Sequence, residues 1–199
     1  MGQAALRVDH VGRCGVLPCA DGPASDLNSS RNSKMRFSRT FLATLLLSPL
    51  VPIAARAQDL GIDVGAKAPA VSVQSLDGKQ VSLGNYIGKT PMLIEFWATW
   101  CPNCKELMPT LLDAEKKFGK QVKFVAIAVA INQSPEKVRR WLAAHPLPHD
   151  TFYDVEGKAA GAFDAPATSY VVVLDKTGKV VYTGLGGKQD LEGAIRKAL

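Results

Sequence analysis

Cysteine is scarce in these 199 residues: there are four, and only Cys101 and Cys104 lie beyond position 19. A bridge between those two closes so short a loop that it removes little entropy from the unfolded chain, so stapling the fold is a poor use for them. A concentrated basic face is also missing. The formal charge is +6, but seven of the 24 Lys and Arg and three of the 18 acids precede Gln58, leaving 17 bases and 15 acids after it. Nucleic acid binding therefore has little support, because phosphate contacts need clustered positive charge. The apolar stretch from Phe41 to Ile53 falls short of the roughly 20 residues that span a bilayer and is broken by Pro49 and Pro52. There is no internal repeat and no low-complexity tract. The length and the 47% hydrophobic content suit one globular core with appendages.

The surplus positive charge belongs to the segment that starts at Met35. Arg36 and Arg39 make a basic n-region, Phe41 to Ile53 an apolar h-region, and Ala55-Arg56-Ala57 a cleavage pattern, which together read as a secretory signal over residues 35–57. Cleavage is expected near Ala57; an uncleaved signal tethering the domain to a membrane is the alternative. No cysteine sits at the cut, so a lipoprotein anchor is not suggested. Residues 1–34 show no helical or strand period and are expected to be an unstructured stretch upstream of the true start at Met35, which would remove Cys14 and Cys19. The working domain is then 58–199, outside the cytoplasm, in a compartment that oxidises thiols.

From Gln58 onward strands and helices alternate. VSVQSL and KQVSL flank Asp77-Gly78, a hairpin signal in which both turn residues would take the positive φ of a tight primed turn. PMLIEFW and VKFVAIAVA are nearly continuous apolar runs, as strands buried on both faces require. Between them Leu107, Leu111, Leu112, Ala114 and Phe118 recur at helical spacing, with Gly119 as the stop. Ser134-Pro135-Glu136 opens a second helix that Pro146 ends. TFYDV, a small Ala/Gly-rich segment, a second hairpin (SYVVVLD and KVVYTGL) and a last helix from about Gln189 complete an α/β layered fold.

This frame places the cysteine pair of Trp97-Ala98-Thr99-Trp100-Cys101-Pro102-Asn103-Cys104. The apolar strand ends at Trp97, and Pro102 suits the first turn of a helix, so Cys101 caps that helix. Unpaired amides and the helix dipole stabilise a thiolate there, lowering its pKa below the ordinary value of about 8.5. Cys104 lies one turn on, within disulfide reach, and is expected to be the more buried. An exposed nucleophile and a sheltered resolving thiol are what thiol–disulfide exchange needs. Other uses fit less well. Forty residues separate Cys104 from His145, the first of the pair His145 and His149, and Pro146 and Pro148 break the helix that would align them for zinc. Lys105 stands where a haem attachment motif needs His. No metal and no cofactor is expected.

The stretch from Glu95 to Cys104 resembles the active-site strand and turn of thioredoxin-fold proteins. With Gly65-Ala66-Lys67-Ala68-Pro69, LDGKQVSL, Pro109, Ala165-Pro166-Ala167-Thr168-Ser169-Tyr170 and VLDKTGKVVYTG, the chain from about Gly61 to Leu199 is similar to the extracytoplasmic TlpA, ResA and DsbE reductases. The resemblance implies a thioredoxin-like fold, a central mixed sheet flanked by helices and preceded by an N-terminal β-hairpin. It implies that Cys101 and Cys104 form a redox disulfide and that Pro166 matches the family's cis-proline, beside which the backbone of Ala165 pairs with a client strand. Glu95 matches the buried acid beneath the pair. A carboxylate in an apolar strand is costly, so its pKa is expected to rise, suiting it to carry a proton to or from Cys104; a partnered edge-strand glutamate is the bland alternative. Trp100 and Pro102 would meet the client, Trp100 shielding the sulfur, while Trp97 and Trp141 fill core. Glu106 stands one residue before the family's second acid, where Leu107 is found, and is expected to face water.

The implied activity is reduction of client disulfides, with a membrane electron donor of the DsbD or CcdA type recharging a monomeric protein. The usual clients of such proteins are apocytochrome c and copper-site assembly factors. A DsbA-like oxidant would run the same cysteines in reverse. A peroxiredoxin-like peroxidase would need threonine three residues before Cys101, where Ala98 stands.

Overall fold

The computed structural model describes residues 61–199; the upstream stretch, the signal segment, Cys14 and Cys19 lie outside them. Seven strands form one mixed sheet: β1 (Ser72–Ser75), β2 (Gln80–Ser82), β3 (Met92–Trp97), β4 (Lys123–Val129), β5 (Asp150–Asp154), β6 (Tyr170–Leu174) and β7 (Val180–Leu185). Three α-helices connect strands, α1 (Pro102–Phe118), α2 (Pro135–Ala144) and α3 (Lys158–Ala162), and a fourth, α4 (Leu191–Arg196), follows β7. The strand order is β2-β1-β5-β4-β3-β6-β7. Only the β3/β4 and β4/β5 pairs are parallel, and they are the two joined through helices, as parallel neighbours must be. The seven-stranded mixed sheet with its flanking helices is the thioredoxin-like arrangement.

The apolar runs became the central strands: every residue of β3 and β6 is buried. Alternation along β3 divides the interior into two cores. Leu93 packs with Leu107, Leu111 and Phe118 of α1 and Leu191 and Ile195 of α4. Ile94 and Phe96 pack on the other side with Val73, Leu83, Ala159 and Phe163. Glu95, two residues from Leu93, shares the α1 side.

Helix starts follow the sequence signals. Ser134 caps α2, its hydroxyl accepting the Lys137 N–H at 3.3 Å, with Pro135 in the first turn. The turns correct one expectation. In the first hairpin the Gly78 N–H donates to the Ser75 carbonyl at 2.9 Å, and Gly78 but not Asp77 has positive φ, +84°. The second repeats this: the Gly178 N–H donates to the Asp175 carbonyl at 2.9 Å, with Gly178 at φ +80°. Both are four-residue turns whose last position takes the left-handed conformation, which glycine adopts without steric cost. The Ala/Gly-rich segment is α3, too short to show a helical period.

Candidate active site

Cys101 is the N-cap of α1, with extended backbone (φ −77°, ψ 117°) and Pro102 in the first turn. Its Sγ accepts the Cys104 N–H at 3.1 Å, and the two cysteines form a disulfide with Cα atoms 5.4 Å apart. The amide that holds the sulfur is one of those a helix start leaves unsatisfied, so the sulfur that becomes a thiolate on reduction already has a donor aimed at it. The expected difference in exposure is absent: Cys101 and Cys104 are each 2% exposed. The Cys101 sulfur lies against the first turn of α1, joined to the Cys104 sulfur and held by the Cys104 N–H.

Trp100, next to Cys101, is 40% exposed, and its indole N–H donates to the Ile131 carbonyl at 2.8 Å. Pro102 is exposed beside it. Trp97 is buried and packs on Trp141 with ring centroids 4.9 Å apart, so both serve the core.

Glu95 is 5% exposed in the central strand, paired on one side with Ala126 and on the other with Val171. Neither neighbouring side chain can hydrogen-bond it, and its Oε1 has no partner among the described residues. Loss of water around the carboxyl pushes its pKa up to about 8, because burial penalises the charged form. The partnered edge-strand alternative is excluded by the strand order. Glu95 lies on the face that carries α1, the helix of Cys104. Glu106 is exposed at the surface of α1, with Lys188 Nζ 3.8 Å from its carboxylate.

Pro166 lies in the α3–β6 loop, exposed, beside half-buried Ala165. The loop is fixed at both ends. Asp154, buried at the end of β5, accepts the N–H groups of Ala159 and Ala160 at 3.1 and 2.8 Å, and so caps α3. Ser169, buried at φ +65°, donates its N–H to the Phe96 carbonyl at 2.7 Å and its hydroxyl to the Gly186 carbonyl at 3.0 Å. The expectation for Ala165 narrows. Its N–H donates to the Ala160 carbonyl at 2.8 Å while the Asp164 N–H donates to Gly161, with Asp164 at φ +47°. These bonds close α3 as a Schellman motif, so a client strand would find the carbonyl of Ala165 available and not its N–H.

Ala165 and Pro166 line a groove of about 400 Å³ together with Val129, Ile131, Val155 and Ala160. Ile131, 62% exposed, and Val155 are among the few large apolar side chains on the surface. Ile131, Asp154 and Gln133, which binds the active-site turn, were not singled out from the sequence. Their roles depend on partners that only the folded sheet brings near. His145 and His149 take separate partners: His145 stacks on Trp141 at 4.5 Å between centroids, and His149 Nδ1 lies 2.5 Å from Glu115 Oε2.

Comparison with known proteins agrees with this geometry. The family model described as Redoxin matches residues 63–198. The thioredoxin-like protein YneN of Bacillus subtilis is 30% identical over 140 residues, which cover 68% of this chain and 80% of YneN. The thiol-disulfide oxidoreductase ResA of Bacillus cereus is 28% identical over 138 residues, with coverage of 68% and 79%. A solved thiol:disulfide interchange protein of the thioredoxin family from Chlorobium tepidum superposes with a TM-score of 0.56 at 23% identity, covering 68% of this chain and 97% of that one, and shares the fold. With the cysteine pair at the helix start and these relatives alongside, the chain belongs to the redoxin family and is a thiol-disulfide oxidoreductase.

Proposed function

We propose that the protein acts outside the cytoplasm as a reductant of client disulfides, with Cys101 as nucleophile, Cys104 as resolving thiol and Glu95 as proton carrier. The observation that carries this reading is the convergence of the Cys101 sulfur on the Cys104 N–H at a helix start, with a buried, unpartnered acid in the strand that leads into that turn. The Cys101 thiolate attacks one sulfur of the client disulfide; the other client sulfur leaves as a thiolate. Cys104 then gives its proton to Glu95 in its ionised form, the minor form below about pH 8, and attacks the Cys101 sulfur, releasing the second client thiolate. Two electrons have passed to the client and the pair is oxidised. A carboxyl with pKa about 8 is close to the thiol range, so the transfer is nearly balanced in energy.

The client would lie across Trp100 and Pro102, place an apolar side chain in the groove beside Pro166, and bond the carbonyl of Ala165. The extracytoplasmic setting rests on the basic and apolar signature of residues 35–57. It requires a membrane donor of the DsbD or CcdA type to restore the dithiol. The monomeric state, and clients in cytochrome c or metal-centre assembly, belong to the same reading.

Trapping tests it. With Cys104→Ala, Cys101 accumulates mixed disulfides with its clients, and their identities name the pathway. A reduction potential near about −120 mV against glutathione would instead mark a DsbA-like oxidant and overturn the reductive direction.

A further inference from the structure

The ladder between β3 and β4 stops at Trp97 and Ala128, so Ala98, Thr99 and Trp100 run toward Cys101 without strand bonds. One side chain takes over. The Gln133 Oε1 accepts the Thr99 N–H at 2.9 Å, while its Nε2 donates to the carbonyl of Val129, the last residue of β4, at 2.6 Å. Its main-chain carbonyl accepts the Tyr153 hydroxyl at 2.7 Å. Two residues earlier in the same loop, Ile131 takes the Trp100 indole N–H. The loop is itself rigidly set: Asn132 has φ +55°, the Lys137 ammonium donates to the Asn132 carbonyl at 3.2 Å, and Ser134 caps α2.

The connection continues to the sulfur. The Cys101 N–H donates to the Ala98 carbonyl at 3.1 Å, and the Cys104 N–H reaches Cys101 Sγ. We propose that Gln133 is a positioning residue for thiol–disulfide exchange, holding the turn before Cys101 at a fixed height over β4 so that the sulfur meets an in-line client disulfide. The proposal rests on the exchange activity assigned above. Only an amide of this length both accepts from Thr99 and donates to Val129. Alanine leaves both backbone groups without that partner, and a carboxylate faces the Val129 carbonyl and brings negative charge toward the helix start where the thiolate forms. Reach of the same loop into the client groove through Ile131 means that a docked client presses on the element that holds the nucleophile.

The test uses Gln133→Ala and Gln133→Glu in the full domain, with three readouts: reduction of a peptide disulfide, the pH profile of iodoacetamide alkylation of Cys101 in the reduced protein, and thermal melting. Positioning predicts that Gln133→Ala slows exchange by about tenfold or more with the fold intact by circular dichroism. It also predicts that Gln133→Glu moves the alkylation profile to higher pH. Should Gln133→Ala fail to fold, Gln133→Glu, which keeps size and acceptor, carries the test through its pH profile. A lower melting temperature with an unchanged alkylation profile and unchanged exchange rate per folded molecule would show a merely structural role and overturn the proposal. Absence of exchange in the unaltered protein would overturn the functional reading instead.

Discussion

The hydroxyl oxygen of Tyr170 accepts the main-chain N–H of Ile62 at 3.1 Å, joining residues 108 apart. Tyr170 opens the strand that follows the Pro166 loop, and Ile62 belongs to the segment ahead of the first hairpin, so this buried bond ties that segment to the end of the loop. Gly61 stands at φ +101°, and a Cβ there would overlap the Tyr170 ring. The same Ile62 N–H also donates to the Phe163 carbonyl at 3.1 Å, so Tyr170→Phe removes one of its two acceptors and should lower stability by about 0.5–1.5 kcal/mol, measured by denaturant unfolding. Gly61→Ala should cost more, since it adds backbone strain to the overlap.

Glu95 makes stability fall as pH rises. Below about pH 4.5 the carboxyl is protonated in folded and unfolded chains alike and carries no penalty. Between 4.5 and about 8 the unfolded chain ionises while the folded one holds its proton, so folding loses about 1.4 kcal/mol per pH unit from this group, levelling off above about 8. Glu95→Gln removes that dependence. Unfolding curves at pH 5 and pH 9 should diverge for the unaltered protein more than for the variant, by on the order of a few kcal/mol.

The same substitution has a kinetic expectation. Without a carboxylate to take the Cys104 proton, the mixed disulfide should persist: attack by Cys101 keeps its rate, and release of the reduced client slows by about tenfold or more. Rapid-quench separation of the two steps measures this; equal slowing of both would place Glu95 in fold maintenance alone.

Asp154 acts at a distance from the sulfurs. Its carboxylate holds two amides at the start of α3, and Asp154→Ala leaves both without it, at a cost of about 2 kcal/mol or more. Because α3 leads directly into the Pro166 loop, hydrogen exchange should rise across residues 158–165 and KM for a protein client should rise more than kcat falls.

Ile131 gives a cleaner separation of docking from chemistry. Replacing it with Glu puts a charge on the apolar wall of the groove, which should weaken a protein client by about tenfold. A small aromatic disulfide that needs no groove should be reduced at an unchanged rate.

The elements around the site were legible where physics is local. Continuous apolar runs gave β3, β4 and β6, and Ser134-Pro135 and Cys101-Pro102 marked helix starts through their own side chains and missing amides. The cysteine pair was plain from its spacing, while Glu95 was singled out through the family resemblance, with the cost of a charge inside an apolar run beside it. What stayed hidden depends on partners brought near by the sheet. Gln133 meets Thr99 across 34 residues, and Ser169 meets Gly186 across 17. Asp77-Gly78 misled in a different way: the pair suits a two-residue turn, but the strand register needed a four-residue turn with one left-handed glycine. The exposure of Cys101 was misjudged because its sulfur lies inward against the first turn of α1.

That inward sulfur carries a consequence for traffic among thiols. With both cysteines almost closed to solvent when bonded, small thiols in the surroundings meet little of the disulfide, and direct attack needs an approach they cannot hold open. On the function proposed above, a donor protein that grips the surrounding surface would hold it open. Electrons would then enter by recognition rather than by ambient chemistry, and the oxidised protein would keep its state until the right partner arrives.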